Sequence, residues 1–222
     1  MGGQPALLEE FTFSLAQMIQ FNAEALCGPG EYVHLDRTKA SFHSFARNQL
    51  AQHMQGDWLL MLDTDHQFTP DLCLRLLDRM NVTGADVIVG LYQHRQWPHA
   101  PVLYLKNEES LYSPIGAWGM EGISPDVFTV DSAGAGCLMV RRKVFDRIRD
   151  ELHESPFDII APFGEDHSFA KRCEKLGIKI VCDPRIECNH LQVRPISLAD
   201  YDRSAVMLNE PQQVAGFNLG AA

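Results

Sequence analysis

A chain of 222 residues with 45% hydrophobic content can bury one sizeable core, and nothing in its composition suggests a disordered or fibrous protein. A formal charge of −10 argues against a nucleic-acid partner, because phosphate backbones are held by a surplus of Lys and Arg. The longest apolar runs have the length of a strand, short of the roughly 20 residues of a membrane helix, and no basic-then-apolar signal opens the chain. A soluble, cytoplasmic protein without a transmembrane segment is expected. The six cysteines are scattered with no Cys-x-x-Cys pair, as buried thiols in a reducing compartment would be.

From Pro5 to Leu26, residues Leu7, Leu8, Phe11, Leu15, Met18, Ile19 and Leu26 fall at helical spacing, and Cys27-Gly28-Pro29-Gly30 closes the segment. Glu31 to Leu35 reads as a short strand. Ser41 to Met54 reads as a second helix, with Phe42, Phe45, Leu50 and Met54 on its inner face and Arg47-Asn48 near its middle. It leads into Trp58 to Asp65, five apolar residues followed by Asp63-Thr64-Asp65. That is the pattern of a strand buried on both faces, as in parallel sheets. Side chains alternate along a strand, so Asp63 and Asp65 are expected to point the same way from its carboxyl end, where open α/β sheets hold ligands. Adjacent carboxylates repel unless they share a cation, which calls for a divalent metal. The competing reading is a cap for the next helix. Thr69-Pro70-Asp71 already supplies that start, ahead of Cys73, Leu76, Leu77 and Met80 at helical spacing.

Asp86 to Tyr92 is a second buried strand, and the alternation of strand and helix predicts a parallel sheet. Gln93 to Met120 is polar and aromatic, with His94, Arg95, Trp97, His99, Tyr104, Tyr112 and Trp118 around a short strand at Val102 to Leu105. It is either a binding loop or a surface hairpin whose aromatics pack on the sheet. Val127 to Val130 resumes strand character. Asp131 to Gly136 is a run of small residues, a tight turn or a place where backbone comes close to something. A strand at Cys137 to Val140 and a helix from Arg142 follow. The glycine and lysine spacing of a P-loop is absent, so a nucleoside triphosphatase is set aside. Phe163-Gly164-Glu165-Asp166 opens a helix bearing Phe169, Ala170, Cys173 and Leu176 and stopped by Gly177. Its dipole favours ionised carboxylates at Glu165 and Asp166. Ile178 to Cys182 is a strand, with His190 soon after. Residues 191–222 show little periodicity beyond Ala199 to Leu208, as in a C-terminal extension that packs on the domain or on a partner subunit.

Five motifs stand in order: Ala46-Arg47-Asn48, Leu62-Asp63-Thr64-Asp65, Ala135-Gly136-Cys137-Leu138-Met139-Val140-Arg141, Gly164-Glu165-Asp166 with Lys175-Leu176-Gly177, and His190. The set resembles the nucleotide-sugar-dependent glycosyltransferases of the GT-A fold, most closely the family 2 group, over residues 40 to 190. The resemblance implies an α/β fold, a single GT-A-like, Rossmann-related domain over residues 1–190 with a mostly parallel central sheet flanked by helices. Domains of that family open with an apolar strand in the base-binding pocket; this chain starts at Met1-Gly-Gly-Gln-Pro and goes almost directly to the helix, so that first strand is expected to be missing.

The resemblance also implies hexosyl transfer from a UDP- or GDP-linked sugar to an acceptor hydroxyl, dependent on Mn²⁺ or Mg²⁺. Asp65 and His190 would hold the metal with Asp63, which would also reach the ribose or a metal-bound water. Arg47 would approach the nucleotide, Ala135 and Gly136 would let the donor sugar lie on backbone, and Trp118, like Trp97, would offer a stacking face. Asp166, beside Glu165, is the implied base on the acceptor, with the helix dipole keeping it ionised. Attack opposite the leaving group gives inversion, although retaining enzymes of this fold share the Asp-x-Asp and the late histidine. The alternative is a non-catalytic relative that binds nucleotide or carbohydrate; a homo-oligomer is compatible with either.

Overall fold

The computed structural model describes residues 9–28, 30, 32–38, 42–107, 111–115 and 126–192, and all that follows concerns these. Trp118 and the segment from Ala199 to Leu208 lie outside them. The chain opens with α1 (Glu9–Ala25) and α2 (His43–His53) and then enters β1 (Trp58–Leu62). A two-residue strand β2 (His66–Gln67), α3 (Leu72–Thr83) and β3 (Val87–Leu91) follow. Next come β4 (Leu103–Lys106), β5 (Tyr112–Pro114), β6 (Phe128–Val130), β7 (Ser132–Ala133) and β8 (Cys137–Arg141). The chain ends its described course with α4 (Arg142–Arg147), a π-helical turn at Ile148–Leu152, α5 (Glu165–Lys175), β9 (Ile180–Glu187) and β10 (Asn189–His190).

Five strands form the central sheet in the order β1-β8-β3-β9-β6. Its period-two alternation divides the core into two layers. Val87, Val89, Leu138 and Val140 face Val144 and Phe145 of α4 and Phe169 and Cys173 of α5. Ile88, Cys137 and Met139 face Phe11 and Met18 of α1 and Leu72, Leu76 and Met80 of α3. All five residues of β3 are buried. A strand covered by helices on both faces has no position for a polar side chain, which is why Val87–Leu91 is an unbroken apolar run.

The α/β fold with helices on both faces is as expected, but the sheet is not mostly parallel. Only β3 and β9 pair in parallel, while β8 is antiparallel to both β1 and β3 and β6 is antiparallel to β9. The crossover β1-α3-β3 does set two strands in the same direction, both antiparallel to β8. It leaves a gap between them, and β8 fills that gap running the other way. Apolar runs carry no sign of direction, so β8 reads in sequence as one more strand of a parallel sheet.

Two local expectations also change. Residues 32–38 form no strand. On α2, Phe42 and Phe45 are 76% and 58% exposed, and the buried residue of the helix is Arg47. The face that looks inward is the one that carries the guanidinium to the carboxyl end of β1.

Candidate active site

The chain leaves β1 at Leu62 and passes Asp63 with a backbone hydrogen bond from its N–H to Gly136 O (3.0 Å), which continues the β1–β8 ladder. Asp65 and His66 follow in the turn and in β2. That short strand pairs antiparallel with β10, and the register sets His190 opposite His66. A bond from Leu191 N–H to Asp65 O (2.7 Å) closes the pairing. This is how a histidine 125 residues away in the chain comes to the aspartates.

The ligand atoms of Asp65, His66 and His190 lie within 4.8 Å of one another. Each imidazole is turned by a backbone carbonyl. His66 Nδ1 is 2.9 Å from Gly136 O and His190 Nδ1 is 2.7 Å from Gln93 O, so both Nδ1 atoms donate and, in the neutral ring, Nε2 is the nitrogen left to bind a metal. His190 Nε2 sits 3.5 Å from Asp65 Oδ2. His66 is fully buried and its Nε2 has no hydrogen-bond partner. Burial pushes the His66 imidazolium down, against the pull of Asp63, so the ring is the neutral species a metal binds. An orphaned buried nitrogen beside a carboxylate and a second oriented imidazole fits a divalent cation of the Mn²⁺, Fe²⁺ or Zn²⁺ type, and the backbone carbonyls are the outer support such ligands need. Of the three residues implied as ligands, Asp65 and His190 meet here, and Asp63 Oδ1 lies 3.5 Å from Arg47 Nη2.

Arg47, 6% exposed, donates from Nη1 to Ala135 O at 2.7 Å. Its other nitrogens approach three carboxylates: Asp63 Oδ1 at 3.5 Å, Glu165 Oε1 at 3.5 Å and Asp166 Oδ1 at 3.7 Å. The guanidinium thus lies among three acids, with its Nε buried and without a hydrogen-bond partner. Asn48 supports the same arrangement. Its Oδ1 accepts from Phe157 N–H and its Nδ2 donates to Asp158 Oδ1, each at 2.8 Å, which pins the segment that leads into α5.

Asp166 lies in the first turn of α5. The helix dipole alone would hold its carboxyl low, yet burial, with Glu165 and Asp63 close by, pushes it up to about 6 in spite of Arg47 and the amide of Ala135. Its Oδ1 is buried with no hydrogen-bond partner. A carboxylate whose pKa is raised toward neutrality is suited to accept a proton.

The small residues before β8 are packed closely by neighbouring side chains. A Cβ on Gly134 would stand 2.0 Å from Tyr92 Oη, and one on Gly136 would stand 2.6 Å from His66 Cε1 and 2.9 Å from Asp63 Oδ2. Glycine lets His66, Asp63 and Tyr92 close over the loop, and Gly136 N–H donates to Tyr92 Oη at 3.1 Å. Ala135 is buried, its carbonyl engaged by Arg47. Trp97 is 86% exposed.

A sequence model of glycosyl transferase family 2 matches residues 16–149, more than half of the chain. The chain belongs to that family. No curated protein matches it significantly in sequence. Among solved structures, A197 from STIV is 16% identical over 82% of this chain and 90% of its own, with a TM-score of 0.47. GalNAc-T7, solved with UDP, GalNAc and Mn2+, is 14% identical over 71% of this chain and 32% of its own, with a TM-score of 0.51. At such identity the second likeness speaks for the fold, that of the GT-A glycosyltransferases. No helix among the described residues is long and apolar enough to cross a membrane.

In this family 2 glycosyltransferase, two residues near the aspartates were not singled out by their sequence. His66 follows Asp65 directly, and that adjacency was the available signal; the pairing of β2 with β10, which gives it meaning, has no local signature. Arg95 was one polar residue among many in its loop, yet its Nη2 lies 2.7 Å from Asp65 Oδ2.

Proposed function

We propose that residues 1–190 form a metal-dependent glycosyltransferase domain that moves a hexosyl group from a nucleoside-diphosphate sugar, UDP- or GDP-linked, to an acceptor hydroxyl with inversion. Residues 191–222 are its C-terminal extension. The observation that carries the reading is the pair of imidazoles, each fixed through Nδ1 by a carbonyl, clustered with Asp65 so that His190 Nε2 faces its carboxylate. Asp65, His66 and His190 would hold Mn²⁺ or Mg²⁺, with the two nitrogens favouring Mn²⁺. Charge supports the same reading. Asp63, Glu165 and Asp166 share Arg47, and Asp65 has Arg95, so acids outnumber guanidiniums and a donor diphosphate needs a cation to enter.

When bound, the metal supplies Lewis-acid stabilisation of charge on the departing diphosphate. The chain's own groups do the rest. Asp63, half-exposed, offers a carboxylate to the ribose hydroxyls. Asp166 takes the proton of the acceptor hydroxyl while its oxygen bonds to the anomeric carbon and the bond to the diphosphate oxygen breaks on the opposite face. Arg47 keeps Asp166 and Glu165 in place and limits their mutual repulsion. Trp97 and Trp118 are candidates to stack on a sugar face.

Calorimetric titration of UDP and of GDP, with Mn²⁺ and then with chelator, on the natural chain and on Asp65→Ala, tests the proposal. Binding that needs both the metal and Asp65 supports it, and a donor screen for metal-dependent hydrolysis follows. Binding of neither nucleotide to the natural chain would count against it and favour a non-catalytic relative.

A further inference from the structure

Arg95 belongs to a loop that is closed on itself. Gln93 bridges Pro101, His94 N–H donates to Ala100 O at 2.9 Å, and His99 N–H donates to Gln96 O at 2.8 Å. Bonds across the neck restrict where this loop can place a side chain. From it, Nη2 of half-exposed Arg95 reaches Asp65 Oδ2 at 2.7 Å, the same oxygen that lies 3.5 Å from His190 Nε2. Gln93, two residues earlier, accepts the Nδ1 hydrogen of His190. One short loop therefore orients one of the proposed ligands and neutralises another.

A divalent cation and a guanidinium cannot both lie against Oδ2 without repelling each other. The Arg95 pair is open to water, where such contacts are weak enough to exchange. Once released, the guanidinium remains tethered at the rim of the site, and its planar fork matches a phosphate oxygen pair. Resting on the metal and diphosphate reading above, we infer that Arg95 is the resident counter-ion of this site: it competes with the metal for Asp65 and, when displaced, binds the donor diphosphate. The metal alone then binds against Arg95. A nucleoside diphosphate draws the guanidinium away and makes metal binding easier, so the two ligands bind with positive coupling, and by linkage each helps the other equally.

The test compares the full natural chain with Arg95→Gln and Arg95→Lys. The Mn²⁺ affinity is read from the spin-resonance signal of free Mn²⁺, without nucleotide and with saturating UDP, and UDP affinity is read by calorimetry at fixed Mn²⁺. Arg95→Gln should bind Mn²⁺ alone about tenfold more tightly and UDP with Mn²⁺ about tenfold more weakly, in the range of ordinary coupling between sites, with Arg95→Lys between. An exposed loop residue can be replaced without loss of the fold, which circular dichroism verifies. Unchanged or weaker Mn²⁺ binding by Arg95→Gln overturns the counter-ion role, and if UDP still needs Mn²⁺ the transferase reading stands. Unchanged UDP affinity overturns the diphosphate role. Absence of Mn²⁺ binding to every protein, with and without UDP, overturns both this inference and the metal site beneath it.

Discussion

The crowding around Asp166 that would suit it to the proposed role of base also makes its ionised form expensive to keep. Its carboxyl, pushed up to about 6 by burial and by Glu165 and Asp63, is protonated more readily in the folded chain than in the unfolded one. The ionised form therefore destabilises the fold: the penalty is absent below pH 4, grows as pH rises toward 6, and is complete above it. Asp166→Asn should raise stability by about 1–3 kcal/mol at pH 8 and by almost nothing near pH 4, read by denaturant unfolding at both values. It should lower sugar transfer by about 10²–10⁴-fold, and the natural enzyme's kcat/KM should fall on the acid side with a midpoint of about 6. A variant that loses stability at pH 8 would contradict this account. Arg47→Met tests the other side, leaving Asp63, Glu165 and Asp166 without their shared cation and Ala135 O without its donor. Such a loss should lower unfolding free energy by about 3 kcal/mol. The approach of Asp65 to His190 and of Asp166 to Arg47 joins residues that the sequence had singled out as candidates. Partners were not legible in the sequence: the contacts of Arg47 with Asp63, Glu165, Asp166 and Ala135 O come from elements far apart in the chain, which no local pattern announces.

Element boundaries followed from period and punctuation, whereas strand direction and helix orientation did not. Strand β8 illustrates the first gap and α2 the second: an apolar stripe at helical spacing suggested Phe42 and Phe45 as the buried face, but the carboxylates beneath this helix require Arg47 there. The placement of β1 has a measurable consequence. Bonds from Asp63 N–H to Gly136 O and from Arg142 N–H to Asp57 O fix the ladder so that Asp57, Leu59, Met61 and Asp63 direct their backbone groups to β8. Alternation then turns the N–H groups of Trp58, Leu60 and Leu62 to the opposite edge, where no other described strand pairs. Amide exchange of Leu60 and Leu62 should be at least tenfold faster than that of Leu59 and Met61, since an open edge protects only weakly. Equal protection along β1 would mean that the edge is covered in solution. The loop before β8 gives a second test at this scale. Gly136→Ala puts a methyl into His66 and Asp63, so it should weaken Mn²⁺ binding by at least tenfold while Gly56→Ala, which meets little, should not.

Across the whole molecule, the candidate site draws on α2, the end of β1, the turn before β8, α5 and β10, and so on chain positions from Arg47 to His190. The GT-A fold was legible at this scale because the order of five weak motifs is far more restrictive than any one of them. The antiparallel members of the sheet were hidden, because they alter neither the order nor the spacing. A site assembled from so many elements cannot persist when any of them unfolds, so a ligand that binds it stabilises the entire domain by mass action. With Mn²⁺ bound and UDP near a hundredfold excess over its dissociation constant, nucleotide binding should add about 3 kcal/mol. For a domain of this size that corresponds to a rise in Tm of about 5–10 °C. Scanning calorimetry should show a single transition moved as a unit, restored to its original position by chelator. His190→Ala should abolish most of the rise while leaving the ligand-free Tm within a few degrees, because it removes one of the proposed ligands and little of the core. If UDP shifts the transition equally with chelator present, or if the shift survives in His190→Ala, the nucleotide binds elsewhere and β2–β10 is a structural pairing rather than the floor of a donor site.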